Sequence, residues 1–187
     1  MFRAILRPGV ELRLLEERHS PSIYALVDRN REHLHDWFGW VDATKSEDDI
    51  LAFIRRSLEQ FASNTGFAAG IWDQDRYAGN ISLHKVDWLN RRAEIGYWVG
   101  REFQGQGIVT EACRAVTRHA LVELELNRVE IRCATNNARS KTIPLRLGYT
   151  LEGVLRQAEL VGERYADLEV YSMLRSEFVT KPAVERL

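Results

Sequence analysis

Two glycines in one short segment could bind a phosphate group. The segment precedes a stretch with the apolar spacing of a helix. Glycine permits a tight turn with several N–H groups facing one centre, and the first N–H groups of a helix have no intrahelical partner. These donors and the helix dipole attract an anion. The segment predicts a diphosphate-binding loop, with a glycine turn that only caps the helix as the structural alternative. Its residues are Gln104, Gly105, Gln106, Gly107, Ile108, Val109 and Thr110.

Two better-known phosphate motifs do not match this segment. A Walker A loop needs a Gly-Lys pair, and the chain contains none. A dinucleotide-binding fingerprint needs a third glycine near Thr110 and an acid at the end of the next strand, whereas Glu130 falls inside its strand. We therefore treat the similarity to a dinucleotide fold as misleading.

The elements before the loop change from helical to strand periodicity. A short strand is predicted over residues 11–15, and helices begin near Ser20-Pro21 and at Ser46. From residue 66 the apolar period approaches two. Strands over 67–72, 77–86 and 93–99 follow one another on short connections, which predicts an antiparallel meander.

The elements after the loop complete a mixed sheet. A long helix is predicted over residues 107–124, and a strand over 128–134 should run parallel to its predecessor. A helix over 137–147 ends at a glycine, and strands over 150–160 and 165–174 close the chain. The order β, α, α, βββ, α, β, α, ββ predicts an α/β (α+β) fold with helices packed on a mixed, mostly antiparallel sheet.

Length and charge limit the function classes. The chain has 187 residues with 26 basic and 27 acidic side chains, so we expect one soluble domain over 1–187 with its core at about 11–178. A net charge of −1 gives no general attraction to nucleic acids or anionic membranes. No signal peptide or membrane-spanning window is evident, which favours the cytoplasm. Cys113 and Cys133 lack metal-ligand spacing, so we predict buried thiols and no metal site.

The element order and the loop together resemble the GNAT superfamily of acetyl-CoA-dependent N-acetyltransferases. Gln104 and Gly107 match its signature Q/R-x-x-G-x-G/A, and Val109 departs from it. Six stretches are similar to the RimJ/RimL branch, which acetylates N-terminal α-amino groups of ribosomal proteins. They are residues 93–98 (AEIGYW), 104–108 (QGQGI), 126–128 (LNR), 137–140 (NARS), 147–149 (LGY) and 151–153 (LEG).

The resemblance implies a cleft for acetyl-CoA. Strands 93–99 and 128–134 would begin side by side and then splay, which exposes backbone groups to the amide-rich pantetheine arm. Tyr97, Trp98 and Val99 would supply main-chain contacts, and residues 104–110 would bind the pyrophosphate. The amide of Asn137 would hold the pantetheine, unless this residue is only the N-cap of its helix.

The resemblance also implies three residues for proton transfer. Glu94 occupies the position of a general base in several members, with pairing to Arg91 or Arg92 as its structural alternative. His84 is the second candidate base, with a hydrogen-bonded structural histidine as its alternative. Ser140 would assist the leaving thiolate, because its helix lacks the tyrosine that many members use, although a first-turn serine is also an ordinary structural residue.

Two segments are candidates for the wall of an acceptor groove. One is an aromatic cluster that could instead cover the core edge: Trp37, Phe38 and Trp40, near His33 and His35. The other is the last hairpin, with Arg156, Glu159, Tyr165 and Asp167, where a solvated turn is equally consistent.

The function implied is direct transfer of acetyl from acetyl-CoA to a primary amine in a ternary complex, with a protein N-terminus as the expected acceptor. A polyamine or aminoglycoside acceptor is the first alternative. A binding module that holds acyl-CoA without turnover is the second. The sequence leaves open whether the protein forms a homodimer.

Overall fold

An eight-stranded sheet forms the frame of the protein. The structure is a computed structural model that describes residues 3–180. Its strands are β1 (Arg3–Arg7), β2 (Val10–Leu14), β3 (Phe67–Asp73), β4 (Arg76–Asp87), β5 (Arg92–Val99), β6 (Arg128–Ala134), β7 (Thr150–Val161) and β8 (Arg164–Leu174). Its helices are α1 (Ser20–Arg29), α2 (Arg31–His35), α3 (Trp40–Ala43), α4 (Glu47–Ala62), α5 (Ile108–Arg118), α6 (Ala138–Leu147) and α7 (Arg175–Thr180).

The strand order confirms the predicted mixed sheet. It runs β1-β2-β3-β4-β5-β6-β8-β7, and the β5/β6 pair is parallel whereas the others are antiparallel. The meander of β3, β4 and β5 is present as predicted. The crossover from β5 to β6 passes through α5, as a parallel connection requires.

The parallel pair separates after four residues. β5 and β6 pair from Arg92 with Arg128 to Ile95 with Ile131, and no further pairing joins them. From there β6 stays paired with β8, and residues 96–99 of β5 stay paired with β4. The facing peptide groups beyond Ile95 are therefore available to a ligand that behaves as an added strand. This opening confirms the predicted splay.

Successive residues of β5 carry the splay to two helical layers. Tyr97 points to α6, where its hydroxyl bonds the backbone oxygen of Ser140. Trp98 points to the opposite face, where its ring lies 5.8 Å from the ring of Trp40 in α3. This alternation is the period of a strand. The end of β5 that contains Tyr97 and Trp98 therefore lies between α6 and α3.

Four elements were not predicted, and one predicted helix changes form. β1 escapes the sequence pattern because it is a partly exposed edge strand that depends on pairing with β2. α2, α3 and α7 have four to six residues each, too few for a clear helical period. The helix expected to reach residue 124 ends as α5 at Arg118 and continues as a π-helical turn over His119–Glu123. Within residues 3–180, no helix is both long and apolar enough to cross a membrane.

Candidate active site

The glycine loop has the geometry of an anion cradle. Gly105 and Gly107 have φ angles of +74° and +75°, which side-chain-bearing residues rarely adopt. A Cβ built on either glycine would meet no atom within 4 Å, so the loop faces open space. Gly107 is the N-cap of α5 and offers no capping side chain. The first N–H groups of α5 are thus left for an anion, which fits a pyrophosphate.

Side chains from three distant segments brace this loop. The amide nitrogen of Gln104 lies 2.6 Å from Nε2 of His33, and Arg139 of α6 donates to the amide oxygen of Gln104. Burial and the nearby Arg101 and Arg139 charges lower the pKa of His33, so its neutral ring can accept the Gln104 N–H. From β1, Arg7 donates to the backbone oxygen of Gln106 over 3.1 Å.

A cavity of about 1170 Å³ opens between this loop and α6; we refer to it as the loop cleft. Tyr97, Trp98 and Val99 line it together with every residue of the loop except Gln106. Their contact with a cofactor stays a prediction. Three arginines and one carboxylate are the charged side chains of the cleft's lining, and this excess of positive charge suits an anionic ligand. The charged residues are Arg101, Arg139, Arg146 and Asp36.

Two hydroxyls and a thiol meet in the splay. Ser140 Oγ donates to the Tyr97 hydroxyl over 3.1 Å, and that hydroxyl donates to the Ser140 backbone oxygen over 3.1 Å. Cys133 Sγ lies 3.2 Å from Ser140 Oγ. Burial raises the pKa of Tyr97 well above its usual value, so its phenol keeps its proton. The pair therefore holds two hydroxyl protons where β5 and β6 part.

Asn137 performs the capping role that was one of its two predicted roles. Its side-chain oxygen accepts from the backbone N–H of Ser140 over 3.0 Å, which fixes the first turn of α6. Asn137 also lines both cavities of the site, so its amide nitrogen remains for a ligand. The ligand role stays a prediction.

A second cavity of about 750 Å³ lies on the other side of β5; we refer to it as the aromatic groove. The cluster of Trp37, Phe38 and Trp40 forms one of its walls, rather than only covering the core edge. Of the four hairpin candidates, the described lining includes Glu159 alone. The charges of the groove's lining balance. Three carboxylates (Asp49, Glu94 and Glu159) face three positively charged side chains (Arg56, Lys85 and Arg132).

Glu94 is surrounded by basic side chains on this groove. Its carboxylate lies 2.8 Å from Lys85 Nζ, 3.3 Å from His84 Nε2 and 3.5 Å from Arg132 Nε. Burial would raise the pKa of Glu94, but the hydrogen bonds from His84 and Lys85 outweigh it and lower this pKa to about 2. His84 in turn lies 3.3 Å from Ser82 Oγ through Nδ1. Neither Arg91 nor Arg92 pairs with Glu94.

Glu159 faces the same groove with the opposite properties. Its carboxylate makes no hydrogen bond or ion pair with any residue of the described range 3–180. Glu159 is exposed at the edge of the groove, and partial desolvation of its carboxylate and the charge of Glu94 raise its pKa, with Lys85 acting against them. A free carboxylate whose pKa is raised toward neutrality is suited to accept a proton.

The two cavities meet at the splay. Tyr97 and Ser140 line both of them, as do four other residues: Trp37, Phe38, Trp98 and Asn137. A ligand that lies in the loop cleft can therefore present one end to a ligand in the aromatic groove. This is the geometry of a transfer reaction between two bound substrates.

Comparison with known proteins decides the family. Residues 10–150 match the family model described as an acetyltransferase (GNAT) domain. The chain belongs to the GNAT acetyltransferase family. The protein is thus an acetyltransferase. Its splayed strand pair and its glycine loop are features that the sequence predicted.

Individual relatives extend the similarity over nearly the whole chain. The Bacillus subtilis (strain 168) protein YdaF is 37% identical over 179 residues, or 95% of this chain and 98% of YdaF. The ribosomal-protein-serine acetyltransferase of Escherichia coli (strain K12) is 32% identical over 89% of this chain and 93% of its own. A RimL ribosomal L7/L12 alpha-N-protein acetyltransferase solved with coenzyme A superposes with a TM-score of 0.89 at 27% identity, covering 94% of this chain and 99% of that one.

The GNAT site brings most of the sequence-predicted residues together. The loop, Ser140 and Asn137 surround the loop cleft, and Glu94 and His84 lie on the aromatic groove. Sequence reasoning missed the Tyr97 hydroxyl, because it assigned only main-chain contacts to this residue. It also missed the contact of Arg7 with the loop, because β1, which carries Arg7, was not predicted.

Proposed function

We propose that the protein transfers acetyl from acetyl-CoA to the α-amino group of a protein N-terminus. The observation that carries this proposal is the meeting of an anion-binding cleft and an amine-suited groove at Tyr97 and Ser140. The ribosomal-protein-serine acetyltransferase among the relatives supports this acceptor class. A cytoplasmic location, as predicted from the sequence, is part of the same proposal.

The groove's charge favours a peptide over a polyamine. A polyamine carries several positive charges and would be best held by an excess of carboxylates. The aromatic groove instead balances its three carboxylates with Arg56, Lys85 and Arg132. A peptide N-terminus brings one ammonium together with neutral amides, and these suit a neutral groove with aromatic walls.

The loop cleft would hold acetyl-CoA along its length. Gly105, Gly107 and the start of α5 would bind the pyrophosphate, and the open edge of β5 would bind the pantetheine amides. Acetyl-CoA supplies the activated acetyl group as a thioester. An N–H group on the open edge of β5, beyond Ile95, would polarise the thioester carbonyl as charge develops on its oxygen.

Glu159 is the group that we assign to remove the amine's proton, directly or through a water molecule. An α-amino group has a reference pKa of roughly 7.7–8.0, so it is largely protonated at neutral pH and cannot attack until it loses a proton. Glu159 is free to receive that proton, whereas the Glu94 carboxylate with a pKa of about 2 holds one poorly. In this proposal Glu94 orders the wall of the groove by accepting hydrogen bonds from Lys85 and His84.

Ser140 is assigned to donate a proton to the departing thiolate. Bond formation between nitrogen and the acetyl carbon accompanies cleavage of the carbon–sulfur bond, and the sulfur leaves with the electron pair. Tyr97 acts as a positioning residue, because it bonds both the hydroxyl and the backbone oxygen of Ser140. Solvent supplies a proton to Ser140 in the same step, because a serine alkoxide is too basic to form beside a thiol.

A thiol-release assay with an amine panel tests the proposed acceptor. We expect release of CoA with peptides that begin with Ser, Ala or Thr, and little with polyamines or aminoglycosides. Release only with small amines would contradict the protein acceptor. Saturable acetyl-CoA binding in a thermal-shift titration without release by any amine would favour the non-catalytic module instead.

The variant Glu94→Gln separates the two carboxylates by pH. Because Glu159 must be ionised to act, kcat/KM should rise with pH through its pKa. The Glu94 charge raises that pKa, so its removal should shift the acid limb of the kcat/KM profile to lower pH, with activity retained on the plateau. Loss of activity at every pH would identify Glu94 itself as the base.

A further inference from the structure

One face of α6 presents a row of residues to the loop cleft. Positions 139, 142, 143 and 146 follow the i, i+3, i+4, i+7 spacing of a helix face, and all four line this cavity. The two ends of the row are Arg139 and Arg146, and between them lie Thr142 and Ile143. A helix rises about 1.5 Å per residue, so the two arginines are attached roughly 10 Å apart along α6.

The two arginines have different local roles. Arg139 already donates to the side-chain oxygen of Gln104 and so belongs to the brace of the loop. Arg146 is exposed, and its guanidinium has no hydrogen-bond or ion-pair partner among residues 3–180. Its charge is favourably placed in the last turn of α6, near the negative end of the helix dipole, but no side chain of the described residues is paired with it. A planar guanidinium with five free donors is well suited to a phosphate.

One phosphate group of acetyl-CoA has so far been assigned no binding residue. The glycine loop and the α5 start supply main-chain donors for the diphosphate, whose two phosphates adjoin each other. The remaining phosphate is a dianionic monoester on the 3′ carbon of the ribose, beyond the diphosphate. Arg146 lies at the far end of the arginine row from the loop brace, so an anion bound there would be separate from one bound at the glycine loop.

We propose that Arg146 binds the 3′-phosphate of the coenzyme, so that the protein distinguishes coenzyme A from its 3′-dephospho form. This inference rests on the proposed use of acetyl-CoA as the donor. It adds a specificity site for the nucleotide end of the donor, separate from the groups that bind the diphosphate. Screening by salt should weaken the distinction.

Isothermal titration calorimetry with CoA and 3′-dephospho-CoA tests the assignment without turnover. The wild-type protein should bind CoA at least roughly 10-fold more tightly, because charge-assisted hydrogen bonds to one phosphate are lost in the dephospho form. In Arg146→Gln the two affinities should agree within about 3-fold, through weaker binding of CoA alone. The matched control is Arg114→Gln, which removes an exposed arginine of α5 that lies outside both cavities and has no partner in the described part of the chain.

Three results would overturn the assignment. One is equal affinity of the wild-type protein for the two ligands. Another is a loss of affinity for both ligands in Arg146→Gln, since this would place the arginine at a part that they share. The third is the same change in Arg114→Gln, which would reveal an effect of net charge. A wild-type protein that binds neither ligand would instead contradict the proposed donor.

Discussion

Replacement of Glu159 by glutamine is expected to lower kcat by roughly 100-fold at neutral pH, because general-base catalysis contributes at least that factor. Glutamine keeps the shape of the side chain and cannot take a proton. KM for acetyl-CoA should stay close to the wild-type value, since Glu159 lines the aromatic groove and not the loop cleft. Steady-state rates with a Ser-initiated peptide give both parameters.

The control for this variant is Glu163→Gln in the turn of the same hairpin. Glu163 is exposed, lines neither cavity and has no partner within residues 3–180. It should retain wild-type kcat. A Glu159→Gln enzyme with unchanged kcat would exclude Glu159 as the base and return the role to Glu94 or His84.

Replacement of Ser140 by alanine is the second large effect, with kcat expected to fall by roughly 10- to 100-fold. Its hydroxyl lies in the splay, where the thiolate must receive a proton. Tyr97→Phe should give a smaller loss of kcat, because it removes the hydroxyl that holds Ser140 in place. Neither variant should greatly change KM for acetyl-CoA.

The leaving group provides an independent readout for Ser140. A more acidic thiol needs less help from a proton donor, so an acetyl thioester of an acidic aromatic thiol should restore much of the rate of Ser140→Ala. Thermal denaturation of the two variants checks that they fold. Equal losses with basic and acidic thiols would assign Ser140 a structural role in α6.

Local sequence patterns were sufficient for the elements that carry the cofactor cleft. The loop could be predicted because Gly105 and Gly107 allow a backbone that other residues avoid, and because a helix start must leave N–H groups free. The splay followed from the strand order and the resemblance together. These features depend on neighbours in the chain, or on connections that the element order limits strongly.

The roles of the acids depend on contacts that no local pattern contains. The residue type makes Glu94 a plausible base, but His84 and Lys85 of the neighbouring strand β4 hydrogen-bond its carboxylate and hold it ionised. Glu159 comes from β7 and has no partner among residues 3–180. This property is visible only once the position of the hairpin beside the groove is known. The assignment of the base therefore needs the tertiary structure.

The most direct test of the central claim is to map the acetyl group on one peptide by mass spectrometry. The peptide begins with a free serine α-amino group and carries one internal lysine, and it is incubated with the protein and acetyl-CoA. We expect one acetyl group, on the serine nitrogen, and none when that amine is blocked beforehand. Acetylation of the lysine, or an unmodified peptide under conditions in which spermidine is acetylated, would contradict the claim.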